Sequence, residues 1–85
     1  MKNKKLKIEI LRYLYKVHEQ NPQNYATREM LKYNLSIDDK TLDENVIKLY
    51  NDDNVDIIES TALKFLSAQI TLRGIAILKQ SSDKK

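Results

Sequence analysis

The chain of 85 residues has no cysteine, one glycine, one proline and one phenylalanine. Without cysteine there is no disulfide, no thiolate metal site and no cysteine nucleophile. A small domain that folds without disulfides suits a reducing cytoplasm, which is the compartment expected. No apolar run approaches the ~18 residues that a membrane crossing needs. The basic N-terminus (MKNKKLK) precedes an apolar stretch that Glu9 and Arg12 interrupt, so a secretory signal is not expected either. Nothing resembles a phosphate-binding loop, a zinc motif or a hydrolase triad. No enzymatic activity, cofactor or metal is therefore expected.

What is present is one small domain, residues 1–85. Its hydrophobic fraction, 41 %, is periodic and argues against disorder. A chain this short buries roughly 60 % of its unfolded surface, enough for one thin core. The net charge of +3 is mild, but its distribution is uneven. Residues 1–35 hold eight Lys/Arg against three Glu, and residues 61–85 hold five against one Asp. Residues 36–60 reverse this, with two Lys against eight Asp/Glu.

That acidic third carries the stretch around which the chain is organised, Leu35 to Asn54. Asp38 can cap a helix over 38–50, accepting from a free N–H of its first turn. Ile37 before it can meet Leu42 as a hydrophobic staple. Leu42, Val46, Leu49 and Tyr50 then recur at helical spacing. The helix ends in Asn51-Asp52-Asp53-Asn54, where Asn54 is expected to turn left-handed.

Residues 4–19 read as a first helix with two apolar stripes. Leu6, Ile10, Leu14 and Val17 form one, with Tyr13 at its edge; Ile8, Leu11, Tyr15 and His18 form the other. The last helix can cover the second stripe; otherwise it is a seam between two copies. Asn21-Pro22-Gln23-Asn24 is a loop. Thr27 can cap a short second helix through about Tyr33, with Glu29 in its first turn, Met30 and Leu31 inward and Asn34 closing it. Val55–Glu59 is a strand, Ser60-Thr61-Ala62 a turn and Leu63–Ile70 a second strand. Thr71 can cap a last helix through about Gln80, with Ile75 and Leu78 inward. Gly74 lies inside that helix, where glycine costs up to ~1 kcal/mol against alanine, so close backbone packing is expected there. Residues 1–4 read as a disordered basic arm and 81–85 as a frayed tail.

The fold class expected is mainly α with a small β-hairpin (α+β), in the order α-α-α-β-β-α. Two segments carry a resemblance to winged-helix (winged helix-turn-helix) domains. Thr41-Leu42-Asp43-Glu44-Asn45-Val46-Ile47-Lys48-Leu49 looks like a recognition-helix pattern, with apolar residues at second, sixth and ninth place. Ile70-Thr71-Leu72-Arg73-Gly74-Ile75-Ala76-Ile77-Leu78 is similar to the I-T-x-[KR]-G-x-x-x-L segment that leads from wing to closing helix. In size and ending the chain is similar to small prophage-type proteins such as the YjcQ family. The resemblance implies a small transcriptional regulator that binds double-stranded DNA, third helix in the major groove and wing on the backbone. The third helix departs from the usual pattern, since Asp39, Lys40, Asp43, Glu44, Ile47 and Lys48 share its outer face. Acidic groups there would repel phosphate.

Two functions follow. For DNA binding the contacts are Lys4 and Lys5 of the basic arm, Arg28 and Lys32 of the second helix, Lys40, Thr41, Asn45 and Lys48 of the third, and Lys64 of the wing. Asn45 could read adenine bidentately. For protein interaction, either Asp43, Glu44 and Ile47 meet a basic partner or two copies pair through Ile8, Leu11 and Tyr15. The cluster Asp38, Asp39, Asp43, Glu44 reads as capping and solvated surface, because carboxylates in a first turn stabilise a helix. His18 and the five tyrosines read as structural. Lys2, Lys4, Lys5, Lys7, Arg12 and Lys16 form a basic patch suited to phosphate or an acidic surface.

Overall fold

The structure is a computed structural model that describes the backbone of residues 2–83 and the side chains of residues 5–80. Helix α1 spans Lys2–Gln20, strand β1 Ala26–Thr27, helix α2 Arg28–Leu35 and helix α3 Asp39–Asn51. Strands β2 (Val55–Ile58) and β3 (Ser67–Ile70) follow, and helix α4 spans Leu72–Asp83. The class is α+β. Residues 1–4 and 81–85, expected as arm and tail, lie wholly or in their side chains outside the described residues.

Short-range capping sets the helix starts. Thr27 accepts from the Met30 N–H at 3.1 Å, Asp38 from the Thr41 N–H at 3.0 Å and Thr71 from the Gly74 N–H at 3.0 Å. Each satisfies one orphan donor of the first turn. Ile37, ahead of Asp38, packs on the core that contains Leu42.

The helix ends differ from expectation by one or two residues. Ser36 (φ 55°) turns left-handed and closes α2, not Asn34. Asn34 stays helical because its amide donates to Met30 O at 2.8 Å and to the Tyr13 hydroxyl at 3.2 Å. At the end of α3, Asp53 (φ 64°) takes the left-handed position, not Asn54. Asp53 N–H then reaches Tyr50 O and Asn54 N–H reaches Leu49 O, which satisfies two terminal carbonyls. Asn54 is left buried behind that turn.

The sheet has three antiparallel strands in the order β1-β3-β2, one more than the expected hairpin. Ala26 pairs with Ala68, and Val55 to Ile58 pair with Ile70 to Ser67. The second strand was expected from Leu63 but begins at Ser67. The reason is that the Phe65 and Leu66 carbonyls are turned to Arg28, which donates to them from Nη1 (3.1 Å) and its backbone N–H (3.0 Å).

Helix α1 packs against α2, α3, α4 and β3. Ile10, Leu11 and Leu14 are fully buried with Leu31, Leu42, Val46, Phe65 and Leu78. The second stripe of α1 was expected to be covered by the last helix or, alternatively, to form a seam between copies. Leu11 lies inside the chain, α1 packs on α4, and Ile8 and Tyr15 are half-buried on the same core, in line with the first reading. Met30, expected inward, is partly exposed, because Arg28, Leu31 and Leu35 occupy the inward positions of α2 at i, i+3 and i+7.

Gly74 is the tightest backbone approach in the fold. A methyl group there would run into the Asn54 carbonyl oxygen and lie 2.8 Å from Ile70 Cγ1. The same carbonyl accepts from Thr71 N–H at 3.1 Å, so it cannot move away freely. Gly74→Ala is expected to destabilise the domain by about 1–3 kcal/mol despite alanine's better helix propensity. Urea unfolding checks this: an unchanged or higher midpoint contradicts close packing at this position.

Candidate nucleic-acid interface

The surface formed by α2, α3 and the β2–β3 loop is arranged around Arg28, the first residue of α2. The residue is 3 % exposed, unusual for arginine without partners. Nη1 donates to Asp43 Oδ1 at 2.7 Å and Nη2 to Asp39 Oδ1 at 3.0 Å. Nη1 also donates to Phe65 O at 3.1 Å, and the guanidinium lies 4.8 Å from the centre of the Phe65 ring. One turn along, Lys32 Nζ sits 3.0 Å from Asp39 Oδ1. Asp39 and Asp43 are one turn apart on α3 and would repel each other. The arginine fork between them removes that repulsion and ties α2, α3 and the loop together.

The charges respond accordingly. The hydrogen bond to Asp43 raises the Arg28 guanidinium above its ordinary value, against the opposing effect of burial. Hydrogen bonds from Lys32 and then Arg28 hold the Asp39 carboxyl below the ordinary carboxylate value. Hydrogen bonds from Thr41 do the same for Asp38, the cap of α3.

This geometry corrects the residues expected to touch DNA or a partner. Arg28 is buried and committed to three acceptors, so it is not a phosphate contact. Asn45 is 2 % exposed and cannot reach a base edge; it lies on the inward stripe with Leu42, Val46 and Leu49. Its amide donates to Thr41 O at 2.8 Å. Asp43 is held by Arg28 and is not free for a basic partner. Ile47, expected outward, is half-buried, as is Thr41.

Lys40, Glu44 and Lys48 remain, exposed on successive turns of α3. No described carboxylate lies within ion-pair distance of either lysine. Lys64 is exposed on the β2–β3 loop. Lys32 is half-buried and paired with Asp39. Lys5 is exposed on α1, away from these groups in the chain, and the Lys4 side chain lies outside the described residues. The four charges of Arg28, Lys32, Asp39 and Asp43 cancel. Lys40, Glu44 and Lys48 leave the outer face of α3 at +1, while on the β2–β3 loop Lys64 is offset by the exposed Glu59.

Sequence periodicity missed the apolar side chains of the loop. Ile58, Leu63 and Leu66 are 44 %, 46 % and 46 % exposed. For Ile58 the available signal was the adjacent pair Ile57-Ile58, which breaks the alternation of β2 and sends one of the two outward.

Two open surface depressions lie elsewhere. One of about 280 Å³ separates α1 from α2 and is lined by Arg12, Lys16, Tyr13, Asn34, Leu35 and Glu9. The other, about 360 Å³, is lined by Asn51 to Asn54, Arg73 and Ile77. His18 stacks on Tyr15, with ring centres 6.2 Å apart, and its Nδ1 is buried without a partner among the described residues. No group of three His, Asp or Glu among the described residues could hold a metal ion. No described helix is long and apolar enough to cross a membrane.

Arg28→Lys removes the fork, because one ammonium cannot serve both carboxylates and the Phe65 carbonyl together. A loss of about 2 kcal/mol is expected in urea unfolding, below the ~3–5 kcal/mol of a broken fully buried pair because lysine keeps the charge and both carboxylates reach solvent; a loss near zero contradicts the arrangement. Stability should also depend on acid. Asp38 and Asp39 titrate lower in the folded chain than in the unfolded one. Their contribution is therefore complete above the unfolded value of about 4 and is lost as pH falls through the lower folded values. The urea midpoint should hold from about pH 7 to 5 and drop below about pH 4, less steeply in Asp39→Asn.

No family model matches the chain, and no curated protein or solved structure matches it, so its function has to be read from these residues and this geometry.

Proposed function

We propose that the chain is a winged-helix domain that binds double-stranded DNA. On this reading α3 presents its outer face to the major groove and the β2–β3 loop is the wing. The observation that carries it is the pairing of Asp39 and Asp43 with Arg28, the Asp39 side chain staying 61 % exposed and that of Asp43 22 %. Two of the acidic groups that would repel phosphate are thereby paired with cations of the domain itself. The cations left outward are Lys40 and Lys48 of α3 and Lys64 of the wing. The resemblance to small prophage-type winged-helix proteins adds a role to this binding, that of a small transcriptional regulator.

The reading as a protein-interaction module has less to stand on. Leu11 is buried, and Asp43 is spent on Arg28. Of the residues that reading invoked, Glu44 is exposed, while Ile8, Tyr15 and Ile47 are half-buried.

Fluorescence anisotropy of a labelled mixed-sequence duplex, titrated across salt concentrations, tests the proposal. Three lysine–phosphate contacts predict a slope of log K against log salt of about −2.7. Lys40→Ala, Lys48→Ala and Lys64→Ala should each make that slope shallower by about 1. Glu44→Gln should tighten binding at low salt. No binding at low salt, or three lysine variants that bind like the parent chain, overturns the proposal.

A further inference from the structure

The depression of about 360 Å³ lined by Asn51, Asp52, Asp53, Asn54, Arg73 and Ile77 shares no residue with the outward lysines and has no part in DNA binding. It lies between two helix ends, the last residue of α3 on one side and the first turn of α4 on the other. Asp52, Asp53 and Arg73 are all exposed, and no described carboxylate lies within ion-pair distance of Arg73. Charges of both signs therefore line one depression without closing on each other.

The backbone around it is held in shape. Thr71 Oγ1 donates to the Asp53 carbonyl at 2.6 Å and Thr71 N–H to the Asn54 carbonyl at 3.1 Å, which ties the start of α4 to the end of α3. Gly74 packs on that same Asn54 carbonyl. A site ordered beforehand loses little entropy on binding. Asn54 is the most buried of the lining residues, 8 % exposed, and its Oδ1 is buried with no hydrogen-bond partner among the described residues. An acceptor left in that state is costly until a donor reaches it. The terminal torsion of asparagine is broad, so this oxygen can turn to a donor in the depression.

A metal ion fits poorly, because Arg73 repels it and no group of three His, Asp or Glu among the described residues could hold it. A simple anion fits poorly too, because two carboxylates face one guanidinium. A ligand that carries both charges fits. The helix ends agree, since the C-terminus of α3 favours a cation and the N-terminus of α4 an anion. We infer that this depression binds a free α-amino acid with an aliphatic side chain. Arg73 takes its carboxylate, Asp52, Asp53 and Asn54 Oδ1 take its ammonium, and Ile77 meets its side chain.

The test titrates the ¹⁵N-labelled full chain with L-leucine, followed by amide and side-chain NMR shifts up to about 20 mM, which reaches the weak affinities of an open site. Leucine is expected to give saturable shifts at the Asn54 side-chain amide, at Asp52 and Asp53 and at the Arg73 guanidinium. L-leucinamide, which lacks the carboxylate, and 4-methylpentanoate, which lacks the ammonium, should each bind at least about tenfold more weakly, the worth of one charge-assisted contact. Glycine, which cannot reach Ile77, should bind about five- to tenfold more weakly. Arg73→Gln and Asp52→Asn should each cost leucine about tenfold in affinity. Both positions are exposed, so the core stays intact, and the amide spectrum of each variant verifies the fold. The inference is overturned if leucine gives no saturable shift at these residues. It is overturned as well if either analogue or glycine matches leucine, or if both variants bind leucine like the parent chain.

Discussion

The rest of the structure depends on a single buried arginine. Arg28 starts α2, and its guanidinium joins Asp39 and Asp43 on α3 to the Phe65 carbonyl on the β2–β3 loop. Its own backbone N–H holds the Leu66 carbonyl. A desolvated guanidinium is costly unless its donors are satisfied and its charge is matched. Here two carboxylates, a carbonyl and an aromatic face meet that demand. The same contacts shorten β3, fix the loop and hold α2 against α3.

The arrangement also redistributes charge between inside and outside. By sequence the middle third is strongly acidic. In the folded chain Asp38 is used as a helix cap, and Asp39 and Asp43 face Arg28 and Lys32. Lys40 and Lys48 are left on the solvent side of α3 with Glu44 between them. A sum of charges over a segment therefore misstates the field that a ligand meets, because it counts groups that neutralise each other within the fold.

What was legible in the sequence was local. Asp38, Thr27 and Thr71 act as caps because each bonds three residues ahead, a relation the sequence displays directly. The tight packing at Gly74 was legible because a lone glycine within a helix needs a reason. Arg28 and Asn45 were misread because both are polar residues set in otherwise apolar inward stripes. The partners that allow this for Arg28 lie 11, 15 and 37 residues away. The two-residue strand β1 has no alternation to detect and exists only through pairing with β3. The left-handed residues Ser36 and Asp53 were each displaced from the expected asparagine. Asn34 has side-chain partners that keep it helical, and Asn54 falls one position beyond the turn.

The most direct test of the central role of Arg28 is a double-mutant cycle between Arg28→Met and Asp43→Leu, read by urea unfolding. The two residues share a short, partly buried bond, so their effects should not add. A coupling energy of about 1.5–3 kcal/mol is predicted, with the double variant more stable than Arg28→Met alone. Additive losses, within about 0.5 kcal/mol, would mean that the pair does not hold α2 and α3 together, and would contradict the account.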